Sequence, residues 1–199
     1  MSGFVVSGIT ADGTRLVVTT RTPKTRGDSW LVPITEDASG PRAGQPVPLL
    51  TGPASEAATD SSPDSRWIPY AADETGLPEV YVIALSDPSL KWPISQDSGS
   101  GAFWSRTSME LFYPTFFSPM RIMVAPYTVE AGRFQPGQPR PWSPRAIPAR
   151  AGIGALITSL APDGKRFAVL MPVEESLGNR VVFVMSFFDE IRRRLAEAK

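Results

Sequence analysis

Short apolar runs, each introduced by a polar turn, recur along this chain. Four segments share the pattern: TADGTRLVVTT from Thr10, SSPDSRWIPYAA from Ser61, WSRTSMELFYP from Trp104 and LAPDGKRFAVLM from Leu160. Apolar and β-branched residues that follow a turn predict a strand. The segments start 43 to 56 residues apart, and self-similarity at such a period is typical of a repeat architecture.

The turn that opens each repeat has the composition of a tight hairpin. Glycine follows aspartate in the first and fourth copies and supplies the positive φ that such turns require. The second copy has Ser65 in place of the glycine, and the third has Thr107 and Ser108. One carboxylate per repeat lacks the alternating oxygen donors of a calcium loop, so we predict no metal here. The residues to which we assign structural turn roles are Asp12, Gly13, Asp64, Asp163 and Gly164.

A second strand is predicted at a nearly constant distance after each turn. Its centre lies 16 to 19 residues after the turn aspartate or its replacement, at Trp30, Tyr81, Met123 and Val182. The β-branched and aromatic content around these residues predicts a strand that pairs back on the one before it. The shared spacing indicates that the four repeats are built alike.

Flanking segments complete the repeat. An apolar segment precedes each turn, at residues 4–9, near Ala57, at 102–104 and at 155–160. Proline-bearing segments follow in three repeats, at residues 46–50, 91–95 and 140–142. Because proline cannot donate to a sheet ladder, these segments fit an outer edge strand. Four strands per repeat is the strand number of a β-propeller blade.

We therefore predict an all-β protein with about four β-propeller blades, a partial or half propeller, and a short C-terminal α-helix. The chain reads as a single propeller domain over residues 1–199, with the excess length of the repeats in loops at 34–45 and 130–139. The predicted bounds are 1–53, 54–97, 98–148 and 149–185 for the blades and 186–199 for the helix. Ser186 and Asp189 resemble a capping box, and Phe187, Ile191 and Leu195 form one apolar stripe.

Composition excludes several kinds of chemistry. The sequence has no cysteine and no histidine, so disulfides, thiolate nucleophiles and imidazole-dependent triads are ruled out. We predict that the chain is not an enzyme and uses no cofactor. Twenty basic and 20 acidic residues give no net charge that would attract nucleic acid. No apolar stretch approaches the roughly 20 residues of a spanning helix, and the N-terminus lacks a signal-peptide pattern, so we expect no direct membrane insertion.

Several segments together resemble a known repeat family. SPDSRWIPYAADETGLPEVYV, KWPISQDSGSGAFWSRTSMELFY, FQPGQPRPW and APDGKRFAVLMPVEE resemble TolB-like β-propeller repeats, most closely those at the C-terminal end of bacterial membrane-anchored serine/threonine protein kinases. The resemblance implies a sensory or scaffolding region outside the cytoplasmic membrane, with phosphoryl transfer on a separate domain. This sequence contains no glycine-rich phosphate loop and no His-Arg-Asp motif. It departs from the family at Ser65, Thr107, Ser108 and Pro69.

We hypothesise a non-enzymatic binding or scaffolding module. The surface residues we nominate for partner binding are Arg21, Trp142 and Arg145. The alternative is the propeller part of a prolyl-oligopeptidase-like hydrolase, which would be inert without its catalytic domain because the Gly-x-Ser-x-Gly elbow and the histidine are missing. The protein or small-molecule partner and the cellular location stay open at this stage.

Ring closure also bears on the assembly. Propellers have four to eight blades and usually close by completing a blade with a strand from the other terminus. Residues 4–9 already serve as an inner strand, and the fourth repeat has no outer strand. We therefore expect a homodimer of half-rings or a fragment of a longer reading frame, with a small four-bladed ring as the alternative.

Overall fold

The computed structural model describes residues 4–23, 25–147 and 158–169, and within these ranges all regular structure is strand. The strands form four antiparallel sheets in chain order, and we refer to them as blades 1 to 4. The predicted all-β class with propeller blades is confirmed. The predicted helix at 186–199 lies outside the described residues.

Blades 1 and 2 follow the predicted strand order. Blade 1 consists of β1 (Phe4–Ile9), β2 (Arg15–Thr20), β3 (Asp28–Asp37), β4 (Gly40–Ala43) and β5 (Val47–Leu50). Blade 2 consists of β6 (Glu56–Ala58), β7 (Trp67–Ala72), β8 (Glu79–Ala84) and β9 (Asp87–Pro93). In each blade the strand before the turn is innermost, and the proline-bearing β5 and β9 are outermost partners of β3 and β8.

Blade 3 repeats this order, and the described part of blade 4 has its first two strands. Blade 3 consists of β10 (Phe103–Trp104), β11 (Glu110–Pro114), β12 (Ile122–Glu130), β13 (Arg133–Pro136) and β14 (Arg140–Pro141). The described part of blade 4 consists of β15 (Thr158–Leu160) and β16 (Phe167–Val169). The predicted second strand of this repeat, around Val182, falls outside the described ranges.

The regular spacing of the second strands reflects a shared register. Val18 pairs with Trp30, Tyr70 with Tyr81 and Tyr113 with Met123, in three different blades. Because cross-strand pairs fix which face a side chain occupies, the spacing seen in the sequence puts equivalent side chains on equivalent faces. The predicted register of Trp30, Tyr81 and Met123 is confirmed.

The turns of the four blades are closed by the same backbone hydrogen bond. In every blade an N–H before the turn donates to a carbonyl after it and closes the loop: Thr10 to Arg15, Ser62 to Trp67, Ser105 to Glu110 and Ala161 to Arg166. Gly13 and Gly164 have φ of 73° and 67°, and Ser65 takes the same left-handed conformation at 54°. Ser108 shows no positive φ; its N–H bonds the Ser105 hydroxyl at 3.1 Å instead.

Two predicted loops are hairpin extensions. Residues 34–45 hold the outer part of β3 and its partner β4, and residues 130–139 hold the end of β12 and β13. Positive φ values at Gly40, Ala131 and Gly132 let the chain reverse within a few residues. The sequence does not predict these strands because β4 and β13 are only four residues long and rich in glycine, proline and arginine, so no apolar alternation marks them.

Apolar side chains fill the spaces between blades. One buried cluster joins Val17 and Leu31 of blade 1 to Ile68 and Tyr70 of blade 2. A second lies between blades 2 and 3, where the rings of Trp67 and Phe134 are 5.4 Å apart. The third lies between blades 3 and 4, and its buried and half-buried members include Phe112 and Phe167. Consecutive blades therefore pack face to face, as in a propeller.

Candidate functional site

The inner strands of the four blades surround a groove of about 1050 Å³. Its walls include residues of β1, β10 and β15 and the segment 55–61 around β6. Within the described ranges each of these strands pairs with one neighbour only, so its other edge has no strand partner. We call this space the axial groove. It is the site with the geometry to hold a ligand.

The close approach of blades 1 and 2 at the groove requires a glycine. A Cβ on Gly8 would lie 2.9 Å from both the Cα and Oδ1 of Asp60, which is too close for any side chain. β1 also has a bulge between Val6 and Gly8. The N–H of Ala11 donates to the Ser61 hydroxyl at 2.9 Å and joins the same two blades. Bulge and glycine together bring the carboxylate of Asp60 into the groove wall.

At one end of the groove stands a half-buried carboxylate with an arginine. Burial raises the pKa of Asp60 above its ordinary value of 3.8, while the Ser61 N–H and Arg106 act in the opposite direction. The guanidinium of Arg106 lies 4.0 Å from the carboxylate, and its side chain is 72% exposed. The indole N–H of Trp104 donates to the Asp60 carbonyl at 3.2 Å and fixes the loop across the blade boundary.

The other end carries a second carboxylate and a second arginine. Asp73 accepts the Ser55 N–H at 2.9 Å and forms an ion pair with Arg26 at 2.6 Å. Arg21 follows β2, lines the groove and is exposed. Arg21 makes no ion pair within the described part of the chain. Arg21, Asp60, Asp73 and Arg106 are the charged residues that line the groove.

The two charged ends are separated by the length of an inner strand. Ser55, next to Asp73, and Asp60 are five residues apart on either side of β6, roughly 16 Å in extended chain. Between them the wall is made of small side chains such as Ala57 and Thr59. The groove is thus long and smooth with polar ends, a shape suited to an extended ligand.

The three nominated binding residues do not come together. Only Arg21 lines the groove. Trp142 is half-buried between blades 3 and 4, where its ring packs 5.2 Å from that of Phe167 and 6.3 Å from that of Phe112. Arg145 is exposed on the loop after β14, and its N–H bonds the Ser143 hydroxyl at 3.2 Å. Trp142 therefore contributes to packing between blades, and Arg145 is not among the residues that line the groove.

The turn carboxylates bind their own turns. Asp12 accepts the Thr10 hydroxyl at 2.6 Å and the Thr14 N–H at 3.0 Å, and these bonds lower its pKa to about 2. Asp64 accepts the Ser62 hydroxyl at 2.5 Å. Asp163 accepts the Lys165 N–H at 3.0 Å. These carboxylate oxygens accept hydrogen bonds from their own turns, so the three carboxylates do not form a common binding site.

Asp60 and Asp73 belong to a patch of acidic residues between positions 60 and 79 that no sequence motif marks as a site, so the sequence does not predict the groove. That patch is spread over different contacts: Glu74 pairs with Lys91 at 2.5 Å, and Glu79 accepts the Ser95 hydroxyl. Only the shared wall of two blades brings Asp60 close to Arg106, which lies 46 residues later in the chain. No local sequence pattern indicates that Asp60 lies next to Gly8.

The chemistry available in the groove is binding through charge, hydrogen bonds and backbone edges. No group of three acidic residues that could hold a metal ion occurs among the residues the structure describes. In the same ranges no helix is long and apolar enough to cross a bilayer.

Comparison with solved structures assigns the fold. A protein provisionally assigned as TolB from Agrobacterium tumefaciens matches with a TM-score of 0.55 and 14% identity, over 77% of this chain and 53% of that chain. TolB from Acinetobacter baumannii matches with a TM-score of 0.39 and 11% identity, over 87% of this chain and 55% of the other. No protein-family model and no curated protein matches the sequence. The match to the Agrobacterium tumefaciens protein shows that the described residues have a TolB-like propeller fold. The chain spans about half the length of each of these proteins.

Proposed function

We propose that this chain is a non-enzymatic binding module of the TolB-like propeller type and that its ligand lies in the axial groove. The observation that carries the proposal is the groove itself. Within the described ranges it combines inner strands that pair on one side only, small wall residues such as Ala57 and Thr59, and a carboxylate with an arginine at each end. The absence of histidine and cysteine from the sequence supports binding over catalysis.

The ligand that fits this groove is an extended peptide segment. A strand edge offers N–H and C=O groups to a polypeptide backbone, the mode called β-augmentation. The edges of β1, β10 and β15 are the candidates within the described ranges, since Gly27 and Ser29 of blade 1 already bond the backbone of β6. The roughly 16 Å between the charged ends matches about five extended residues. Asp60 and Arg106 at one end and Arg21 at the other would select charged side chains near the ends of the segment.

We further propose that the module senses or scaffolds for a protein kinase. The support is the resemblance of four segments of the sequence to propeller repeats that follow bacterial kinase domains. Such repeats lie outside the kinase domain, which agrees with a chain that carries no phosphate loop of its own.

The test is selection of peptides from a random display library on the purified chain, followed by calorimetry with the best peptide. Arg106→Ala should weaken binding about two- to fivefold, since a charge contact made by a side chain that is 72% exposed is worth about 0.5–1 kcal/mol. Arg21→Ala should weaken it as well. Arg145→Ala is the matched control because Arg145 is an exposed arginine outside the groove. Selected peptides that bind both groove variants as tightly as the wild type would refute the groove as the site.

A further inference from the structure

A second cavity lies where blades 1, 2 and 3 meet, and it shares no lining residue with the axial groove. Its volume is about 370 Å³. It is lined by Arg15 of blade 1, by Arg66 and the β8–β9 hairpin of blade 2, and by Arg133 of blade 3. We call it the arginine cavity. Each of three consecutive blades therefore contributes one arginine to the same wall.

Hydrogen bonds across both blade boundaries fix the walls of this cavity. The N–H of Asp12, in the turn before Arg15, donates to the Ser65 hydroxyl at 2.9 Å and joins blade 1 to blade 2. The guanidinium of Arg66 donates to the Gly132 carbonyl at 2.9 Å and joins blade 2 to blade 3. The three arginines are therefore held on one framework, although they lie far apart in the chain.

The arginine cavity concentrates positive charge. Among the described residues no aspartate or glutamate lines it, and Arg15, Arg66 and Arg133 make no ion pair with any of them. The nearest acidic residues in the chain to Arg15 and Arg66 are Asp12 and Asp64, which accept hydrogen bonds from hydroxyls of their own turns. Like charges that converge repel one another, and a bound anion removes that repulsion.

The wall also offers hydrogen-bond donors. A guanidinium carries five N–H donors in a planar fork that matches the oxygens of a carboxylate or a phosphate. The guanidinium carbon of Arg66 lies 5.0 Å from the ring of Trp67, which orients its fork. Trp67 lines the cavity and is 3% exposed, and its indole N–H has no hydrogen-bond partner within the described ranges. A buried donor of this kind is unusual and needs an acceptor.

Apolar side chains make up another part of the wall. Leu90 of β9 is 49% exposed, and Leu85 and Trp92 are half-buried. The ring of Trp92 stands edge-on to that of Trp67, with the ring centres 5.4 Å apart. An inorganic ion leaves these side chains in water, whereas an anion with an apolar part covers them.

We propose that the arginine cavity binds a small organic anion. The carboxylate or phosphate group of the ligand bonds the guanidinium groups of Arg15, Arg66 and Arg133, and its apolar part packs on Leu90 and Trp92. The observations that carry the proposal are the convergence of three arginines from three blades and the unsatisfied indole donor beside them. The site is separate from the axial groove, so it stands or falls independently of the peptide proposed to bind there.

The first test is titration of the 199-residue protein with phenyl phosphate, benzoate and benzyl alcohol, followed by the indole N–H signals in heteronuclear NMR spectra. For the anions we expect a Kd of about 1 mM, as for other ligands of this size, with shifts of the Trp67 and Trp92 signals but not of the Trp30 signal. Tighter binding of phenyl phosphate than of benzoate would assign a phosphate ester, and the reverse would assign a carboxylate. Failure of both anions to bind, or binding of uncharged benzyl alcohol with the same affinity, would overturn the proposal.

A second test asks whether the ring of the ligand contributes. Inorganic phosphate and acetate, which lack it, should bind roughly tenfold more weakly than phenyl phosphate and benzoate, because only the aromatic ligands cover Leu90 and Trp92. Equal affinities with and without the ring would contradict an organic anion as the ligand.

Substitutions distinguish this site from general attraction of anions. Arg133→Gln should weaken binding about two- to fivefold, and the double variant Arg15→Gln, Arg133→Gln roughly tenfold, since each exposed charge contact contributes modestly. Arg145→Gln is the matched control because Arg145 is an exposed arginine outside the cavity. An unchanged dispersion of the indole signals verifies that each variant is folded. Equal losses in the control and the double variant, or no loss in either, would refute the arginine cavity as the site.

Discussion

One hydroxyl group joins blades 1 and 2 in the interior, and its removal tests the packing between blades. Ser29 is fully buried; its Oγ accepts the Ala58 N–H at 2.9 Å and donates to the Glu56 carbonyl at 3.1 Å. Both partners belong to β6, and both residues are buried. In Ser29→Ala one backbone donor of blade 2 loses its partner and one backbone acceptor loses a bond.

The two broken hydrogen bonds set the change in the free energy of unfolding. A buried donor left without a partner costs about 1–3 kcal/mol, and the second bond adds a smaller amount, so we expect the free energy of unfolding to fall by about 2–3 kcal/mol. For a chain of this size that corresponds to a fall in Tm of roughly 5–10 °C.

Urea unfolding, monitored by tryptophan fluorescence, measures the difference in the free energy of unfolding between the Ser29→Ala variant and the wild type. Ser89→Ala is the control because Ser89 is exposed and bonds only Asp87 of its own turn, so its loss should cost less than about 0.5 kcal/mol. A Ser29→Ala variant as stable as the Ser89→Ala variant would show that blades 1 and 2 do not share this buried contact in solution.

Three further predictions follow from single residues. Gly13 has φ of 73° and no atom within 4 Å of the place a Cβ would occupy, so Gly13→Ala should cost about 1–2 kcal/mol through the backbone alone, measured by urea unfolding; no loss would contradict the left-handed turn. Burial raises the pKa of Glu56 above 4.5, so its charge opposes folding as pH rises through that raised pKa. Glu56→Gln should therefore unfold at a higher temperature than wild type at pH 7, with the difference vanishing below pH 4.5. Asp12, with its pKa lowered to about 2, stabilises the fold above its ordinary pKa of 3.8 and loses that effect as pH falls toward 2. Thr10→Val should raise the Asp12 pKa in an NMR titration, and an unchanged pKa would refute the Thr10 hydrogen bond as its main cause.

The blade pattern was readable from the sequence because it is local. Trp30, Tyr81 and Met123 mark the second strand at a fixed distance from each turn, and the structure pairs them with Val18, Tyr70 and Tyr113. Proline marked the outer strands correctly because it excludes central ladder positions.

Pro69 shows where that rule fails. It lies in β7, an interior strand of blade 2, and its carbonyl accepts the Thr59 N–H at 3.0 Å just beyond the end of β6. The N–H that Pro69 lacks would have faced the end of the short strand β6. Its absence therefore removes a hydrogen bond only at the end of the β6–β7 ladder. A proline in a central strand is tolerated when the neighbouring strand is this short.

The candidate groove was not readable from the sequence because contacts between blades create it. Asp60 meets Arg106 and Gly8 across two blade boundaries, and no spacing along the chain encodes those distances. Trp142 was nominated for binding because it lies in a proline-rich segment, but its contacts with Phe112 and Phe167 are tertiary and place it between blades.

The most direct test of face-to-face blades is a nuclear Overhauser measurement between aromatic rings of neighbouring blades in the 199-residue protein. The rings of Trp67 and Phe134 are 5.4 Å apart across blades 2 and 3, and those of Phe112 and Phe167 are 5.6 Å apart across blades 3 and 4. Consecutive blades that pack as described give cross-peaks for both pairs, together with those between Tyr70 and Tyr81 inside blade 2. Cross-peaks inside blade 2 without either cross-peak between blades would contradict the propeller arrangement.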